Sequence, residues 1–187
     1  KRSRALLAQH PPVHDWVASQ RGAMCYYGYN QPARVVQMRG IQDAAHSLGI
    51  PFEMVFVGSE ARLVALAQRC EELVIVVPLD LLPRIAPLAR VTRCQVLLYA
   101  PCYAADGRDL PRGCTQITGT QAQSLDEFRE MIAFLVTDFS DAGNRRYYPG
   151  YATKHGISVL SFPWGINAAR HFPVPGAPQS DVVFLGS

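Results

Sequence analysis

Apolar positions follow two different periods along this chain, and the alternation between the periods outlines its elements. Short apolar runs stand at Met24–Tyr27, Phe52–Val57, Leu73–Val77, Gln95–Tyr99, Ile132–Thr137 and Ile157–Leu160. The run Leu73-Val74-Ile75-Val76-Val77 has no polar position, the pattern of a strand covered on both faces. Amphipathic stretches separate these runs. From Pro32 to Leu48, Val35, Met38, Ile41, Ala45 and Leu48 recur at three- and four-residue steps, which predicts a helix with one apolar stripe. Pro32 suits its first turn and Gly49 its stop. A second helix is predicted over Ala61–Cys70, with Ser59 as its cap and Glu60 in the first turn. Asp80 is expected to cap a short helix kept irregular by Pro83 and Pro87. Residues 100–123 read as a long loop. Ser124-Leu125-Asp126-Glu127 reads as a capping box opening a helix to Glu130. Asp141–Lys154 is expected to be helical in part, interrupted at Pro149-Gly150. Six strands alternating with helices predict a Rossmann-like α/β fold, an open and mainly parallel sheet with helices on both faces.

In such a sheet, ligands bind beyond the carboxyl ends of the strands. That rule directs attention to a few loops. In Gly28-Tyr29-Asn30-Gln31, glycine permits close approach to a ligand and the helix that follows offers unpaired N–H groups. The loop faces an acceptor, or it is a plain turn capped by Asn30. Thr137-Asp138-Phe139-Ser140-Asp141 places carboxylates and hydroxyls just after an apolar strand. Asp138 is the candidate general base of a transfer reaction, with Ser140 beside it, or one of Asp138, Ser140 and Asp141 is a helix cap. Asn144-Arg145-Arg146-Tyr147-Tyr148 offers Arg145 to a phosphate and tyrosines to a sugar ring, or forms a solvated helix face. There is no dinucleotide fingerprint, P-loop, nucleophile elbow or zincin motif.

Composition narrows the classes. The 187 residues are 49% hydrophobic and 18% charged, ordinary globular material with enough apolar content for one sizeable core. A net charge of +3 without a Lys/Arg run gives no footprint for nucleic acid. No apolar run reaches the roughly 18 residues of a membrane span, and Lys1-Arg2-Ser3-Arg4 leads into too short an apolar piece for a secretory signal. A cytoplasmic location is therefore expected. The five cysteines, Cys25, Cys70, Cys94, Cys102 and Cys114, form no C-x-x-C pair and are expected to be buried reduced thiols. His10 and His14 have zinc-pair spacing, but Pro11-Pro12 between them argues against the helix such a pair needs.

The final stretch, Gly156 to Ser187, runs as a strand, a Phe162-Pro163-Trp164-Gly165-Ile166-Asn167 turn, a short helical turn ending at Phe172-Pro173, a linker, and the strand-like Asp181–Leu185 closing on Gly186-Ser187. It resembles the interdomain crossover of GT-B glycosyltransferases, most closely the spore-maturation-protein (CgeB-like) group. The resemblance implies an acceptor-side domain over residues 1–173, a linker over 174–180, and the first strand of a nucleotide-sugar domain over 181–187. It also implies a hinge and cleft lining at Trp164, Gly165 and Asn167. By this resemblance the complete enzyme transfers a sugar from a nucleotide-sugar donor, without a metal, to a small-molecule, glycan or protein acceptor. No cofactor is expected on this domain, whose partner is the donor domain of the same chain; alone it should be inactive. Gly28, Tyr29, Asn30, Ser140 and Arg145 are the expected acceptor-binding residues, and Asp138 the expected base, with Asp141, His171 and the loop after Tyr99 as substitutes. The competing reading is a non-catalytic α/β module that binds a small molecule or a protein.

Overall fold

The computed structural model describes residues 22–89 and 93–161. Six strands form one sheet: β1 (Gly22–Gly28), β2 (Phe52–Phe56), β3 (Glu72–Pro78), β4 (Arg93–Tyr99), β7 (Ile132–Thr137) and β8 (Ser158–Ser161). Their order is β2-β1-β3-β4-β7-β8 and every pairing is parallel. Two short strands, β5 (Tyr103–Ala104) and β6 (Thr115–Gln116), make a separate parallel ladder within the connection after β4. The helices are α1 (Pro32–Ser47), α2 (Glu60–Arg69), α3 (Leu82–Ala89), α4 (Gly119–Glu127), α5 (Asp141–Tyr147) and α6 (Tyr151–His155). This is the Rossmann-like open α/β architecture that the periodicity predicts.

Alternation along the strands sorts the core into two layers. On one face Ala23, Cys25, Tyr27, Ile75, Val77, Val96, Leu98 and Leu135 pack with Leu63 and Leu66 of α2, Leu82 and Ile85 of α3, Leu125 of α4, and Tyr147 and Tyr151 of α5 and α6. On the other, Tyr26, Phe52, Val76 and Tyr99 pack with Met38 and Ala45 of α1. The predicted stripe of α1 is the stripe that is buried. On the face that α1 covers, Phe134 and Leu160 near the β8 edge remain exposed.

Several predicted boundaries shift, each for a local reason. Ser124 does not open a helix. It sits inside α4, which begins at Gly119, and its hydroxyl donates back to the Thr120 carbonyl at 2.9 Å. α3 is a regular helix despite its prolines. Pro83 falls in the first turn, where no N–H partner is needed, and Leu82, Ile85 and Leu88 anchor one side. Asp80 lies inside a 3₁₀ turn (Leu79–Leu81) whose cap position is Pro78, and its carboxylate accepts from Tyr29. Ser59 occupies the cap position of α2 but makes no side-chain cap bond. The interruption at Pro149-Gly150 is where expected, between α5 and α6, with Gly150 in the left-handed region at φ 64°. The turn holding Trp164, Gly165 and Asn167, the linker, the strand at 181–187, His10, His14 and His171 lie outside the described residues.

Because β3 is covered on both faces, its interior should resist truncation poorly. Ile75→Ala removes a fully buried side chain and is expected to lower the unfolding free energy by about 2–5 kcal/mol. Phe134→Ala, at an exposed position, should cost under about 1 kcal/mol. Urea unfolding of both variants measures the contrast.

Candidate functional site at the carboxyl edge

β1 lies between β2 and β3, so the crossover leaving β1 runs one way along the sheet and the crossover leaving β3 runs the other. Right-handed crossovers then place α1 and α3 on opposite faces, and a crevice opens beyond the carboxyl ends of β1 and β3. Its two lips touch. The Tyr29 hydroxyl, from the loop after β1, donates to Asp80 Oδ2, from the turn after β3, at 2.8 Å. That bond, with some burial, raises the Tyr29 pKa. Asp80 stands in a turn that the carboxyl-edge rule selects from the sequence, residues 78–80; its pairing with Tyr29, 51 residues away, is what the sequence does not show.

The loop Gly28-Tyr29-Asn30-Gln31 is tight. A Cβ on Gly28 would collide with the Tyr26 ring, so the close backbone approach needs glycine. Asn30 is exposed and is not the cap of α1. Gln31 holds the cap position in an extended conformation (φ −95°, ψ 131°) and makes no side-chain cap bond. The first turn of α1 carries no acidic residue, so its N–H groups have no anionic partner from their own helix.

Beneath this turn is a polar cluster that the sequence reading missed. Tyr99 donates its hydroxyl to Gln37 Oε1 at 2.8 Å, and the Arg34 guanidinium carbon stands 5.4 Å from the Tyr99 ring centroid. Three buried atoms in the cluster donate to no acceptor among the described residues: the Tyr26 hydroxyl oxygen, Arg34 Nη1 and Gln37 Nε2. All three can donate. Burial raises the pKa of Tyr26 and of Tyr99, while the Arg34 charge works against burial in both. The ingredients were visible as letters, but Gln37 and Tyr99 are 62 residues apart.

Asp138 stands at the carboxyl end of β7 and is half-buried. Its Oδ1 accepts the Cys102 backbone N–H at 3.1 Å and its Oδ2 accepts the Cys102 thiol at 3.7 Å. Cys102 has a left-handed backbone, φ 59°, and is exposed; Cys70, Cys94 and Cys114 are partly buried and only Cys25 is buried, which corrects the expectation of five buried thiols. The cap of α5 is Ser140, whose oxygen accepts from the Gly143 N–H at 3.2 Å. Asp138 is therefore not the cap, and Ser140 spends its oxygen on the helix. Thr137 donates to Asn144 Oδ1 at 2.6 Å, a buried bond fixing α5 to the strand end. Tyr147 and Tyr148 are buried, Tyr148 donating to the Tyr103 carbonyl at 2.7 Å, so their rings serve packing and are not open to a sugar face. Arg145 is exposed, and Arg146 reaches Asp109 at 3.3 Å.

A further polar pair stands at the start of α2. The Tyr27 hydroxyl donates to Glu60 Oε1 at 2.6 Å, Gly58 N–H donates to the same oxygen at 3.1 Å, and Arg84 lies 3.5 Å away. These contacts, the tyrosine first, hold the Glu60 carboxyl well below 4.5, at about 2; burial and the Glu60 bond push Tyr27 up to about 12. Among the described residues, no group of three or more His, Cys, Asp and Glu is placed to hold a metal ion. No protein-family model matches the chain, and neither a curated protein nor a solved structure is significantly similar to it.

The Glu60 shift has a pH signature. A carboxyl depressed in the folded state contributes stability above its unfolded value, and that contribution disappears as pH falls through the folded value. The chain should lose this contribution between about pH 4.5 and 2. Tyr27→Phe, which removes the largest cause, should flatten that acid-side loss in denaturation midpoints measured across the range. An unchanged acid slope would disprove the assignment.

Proposed function

We propose that this chain is the acceptor-side domain of a GT-B glycosyltransferase, whose complete form transfers a sugar from a nucleotide-sugar donor to an acceptor hydroxyl. The observation that carries the reading is the polar cluster below the loop after β1, where donors of Tyr26, Arg34 and Gln37 without acceptors among the described residues lie near one another beside the winding reversal. Buried donors without acceptors are costly, and a polyhydroxylated or oxyanionic acceptor supplies the missing oxygens. Tyr29, Asn30 and the first turn of α1 border the crevice, with Gly28 behind them.

In this reading Asp138 is the base. It takes the proton from the acceptor hydroxyl as that oxygen bonds to the anomeric carbon and the nucleoside diphosphate departs. The two contacts from Cys102 hold the carboxylate in one orientation and leave each oxygen a second lone pair. The nucleotide-sugar donor belongs to the other half of the enzyme. One observation favours the competing reading of a non-catalytic binding module: Asp138 clamps the left-handed Cys102, a structural task in its own right.

Kinetics separate the two. In a protein that carries the donor domain, Asp138→Asn should leave donor affinity intact and reduce turnover by ~10²–10⁴-fold. Turnover within about threefold of the parent, with only a lower melting temperature, would reduce Asp138 to a clamp. Arg34→Met removes a buried nitrogen that donates to no acceptor among the described residues and keeps an apolar stem beside the Tyr99 ring. The variant should hold its melting temperature while the KM for acceptor rises and donor KM stays put; a change in neither KM would take Arg34 out of the acceptor site.

A further inference from the structure

The long connection after β4 is organised around two cysteines. Tyr103 pairs with Thr115 and Ala104 with Gln116, in parallel. Thr115 N–H donates to the Cys102 carbonyl and Ile117 N–H to the Ala104 carbonyl, each at 2.8 Å. This register sets the preceding residues, Cys102 and Cys114, side by side, close enough for each thiol to influence the other. Neighbouring strands run about 4.8 Å apart, within the 4.4–6.8 Å that separates the Cα atoms of a disulfide. Cys102 is exposed and Cys114 half-buried, so a small reagent can reach the pair. Cys25, by contrast, is fully buried in the sheet.

We propose that Cys102 and Cys114 form a redox-sensitive pair that closes to an intramolecular disulfide by exchange with a low-molecular-weight disulfide such as oxidised glutathione. The Cys114 thiol loses its proton and its sulfur attacks one glutathione sulfur, expelling the other as a thiolate that takes up a proton. The Cys102 sulfur, also deprotonated, then attacks the Cys114 sulfur of the mixed disulfide and expels the second glutathione. Two protein thiols are oxidised, one glutathione disulfide is reduced to two glutathione molecules, and the two protons end on the departing thiols.

The surroundings set the order and pace of these steps. Burial, then Asp138, pushes the Cys102 thiol up to about 11, so it is protonated at neutral pH. Cys114 is raised by the same two influences, but its contact with the Cys102 thiol lowers it, so Cys114 is the better first nucleophile. Exchange should accelerate as pH rises. Closure withdraws the Cys102 thiol hydrogen from Asp138 Oδ2 while the Cys102 N–H keeps its hold on Oδ1. It also staples the loop over residues 103–113, tying the connection after β4 to itself beside the end of β7. The pair thus sets how many donors Asp138 has, whatever Asp138 does.

The test uses the chain incubated with oxidised glutathione at mildly alkaline pH, quenched by alkylation and peptide-mapped without reduction. The expected result is a Cys102 peptide linked to a Cys114 peptide, with two of the five thiols protected from alkylation. Excess reduced glutathione should reverse the link, and the oxidised chain should melt at a higher temperature. Cys102→Ser should instead accumulate a glutathione adduct on Cys114. The proposal is overturned by separate adducts on Cys102 and Cys114 in the parent chain, or by a link to Cys25, Cys70 or Cys94. It is equally overturned if both thiols stay alkylatable under conditions that fully oxidise the urea-unfolded chain.

Discussion

Coverage of β3 on both faces is the constraint from which the rest of the architecture follows. Leu73, Ile75 and Val77 face one layer of the core and Val76 the other. Burying side chains of this kind contributes about 1.5–3 kcal/mol each, so both faces must be roofed. Parallel strands can only be joined by crossovers, and right-handed crossovers roof both faces only if the winding reverses. The reversal falls at β1. The crevice beyond β1 and β3 is thus a geometric by-product of covering the sheet, present before any ligand is considered.

The strands and α1 were legible because their signal is local. A continuous apolar run or a stripe at three- and four-residue steps needs no knowledge of what lies opposite. The interruption between α5 and α6 was equally local, written in Pro149-Gly150. The start of α4 was not legible, since Thr118-Gly119-Thr120 has the composition of a loop and the helix is decided by what Leu125 packs against. The polar contacts of the site were hidden for another reason. Tyr27 and Glu60 are 33 residues apart, Tyr29 and Asp80 51, and Cys102 and Asp138 36. Only the sheet order brings them together, and a sequence does not state its sheet order.

The loops at this edge hold strained backbone in place with charge. A non-glycine residue in the left-handed region costs on the order of 1–2 kcal/mol. At Cys102 the cost is offset by a backbone N–H aimed at a carboxylate, among the stronger hydrogen bonds a protein makes. Asp138, Ser140 and Asn144 divide the labour within one short stretch: the first fixes the neighbouring loop, the second caps the start of the helix, and the third ties that helix to its strand.

Gly28 and Tyr26 show how such an edge restricts change in the chain itself. The ring of Tyr26 occupies the space that a side chain at position 28 would need, and the ring is fully buried. Position 28 cannot gain a side chain while Tyr26 is in place. A larger residue at 28 is admissible only after a smaller one arrives at 26, and that substitution first opens a hole beside Arg34 and Tyr99. Change at 28 therefore waits on change at 26, and the shape of the crevice's first lip is inherited through a residue that never touches the surface.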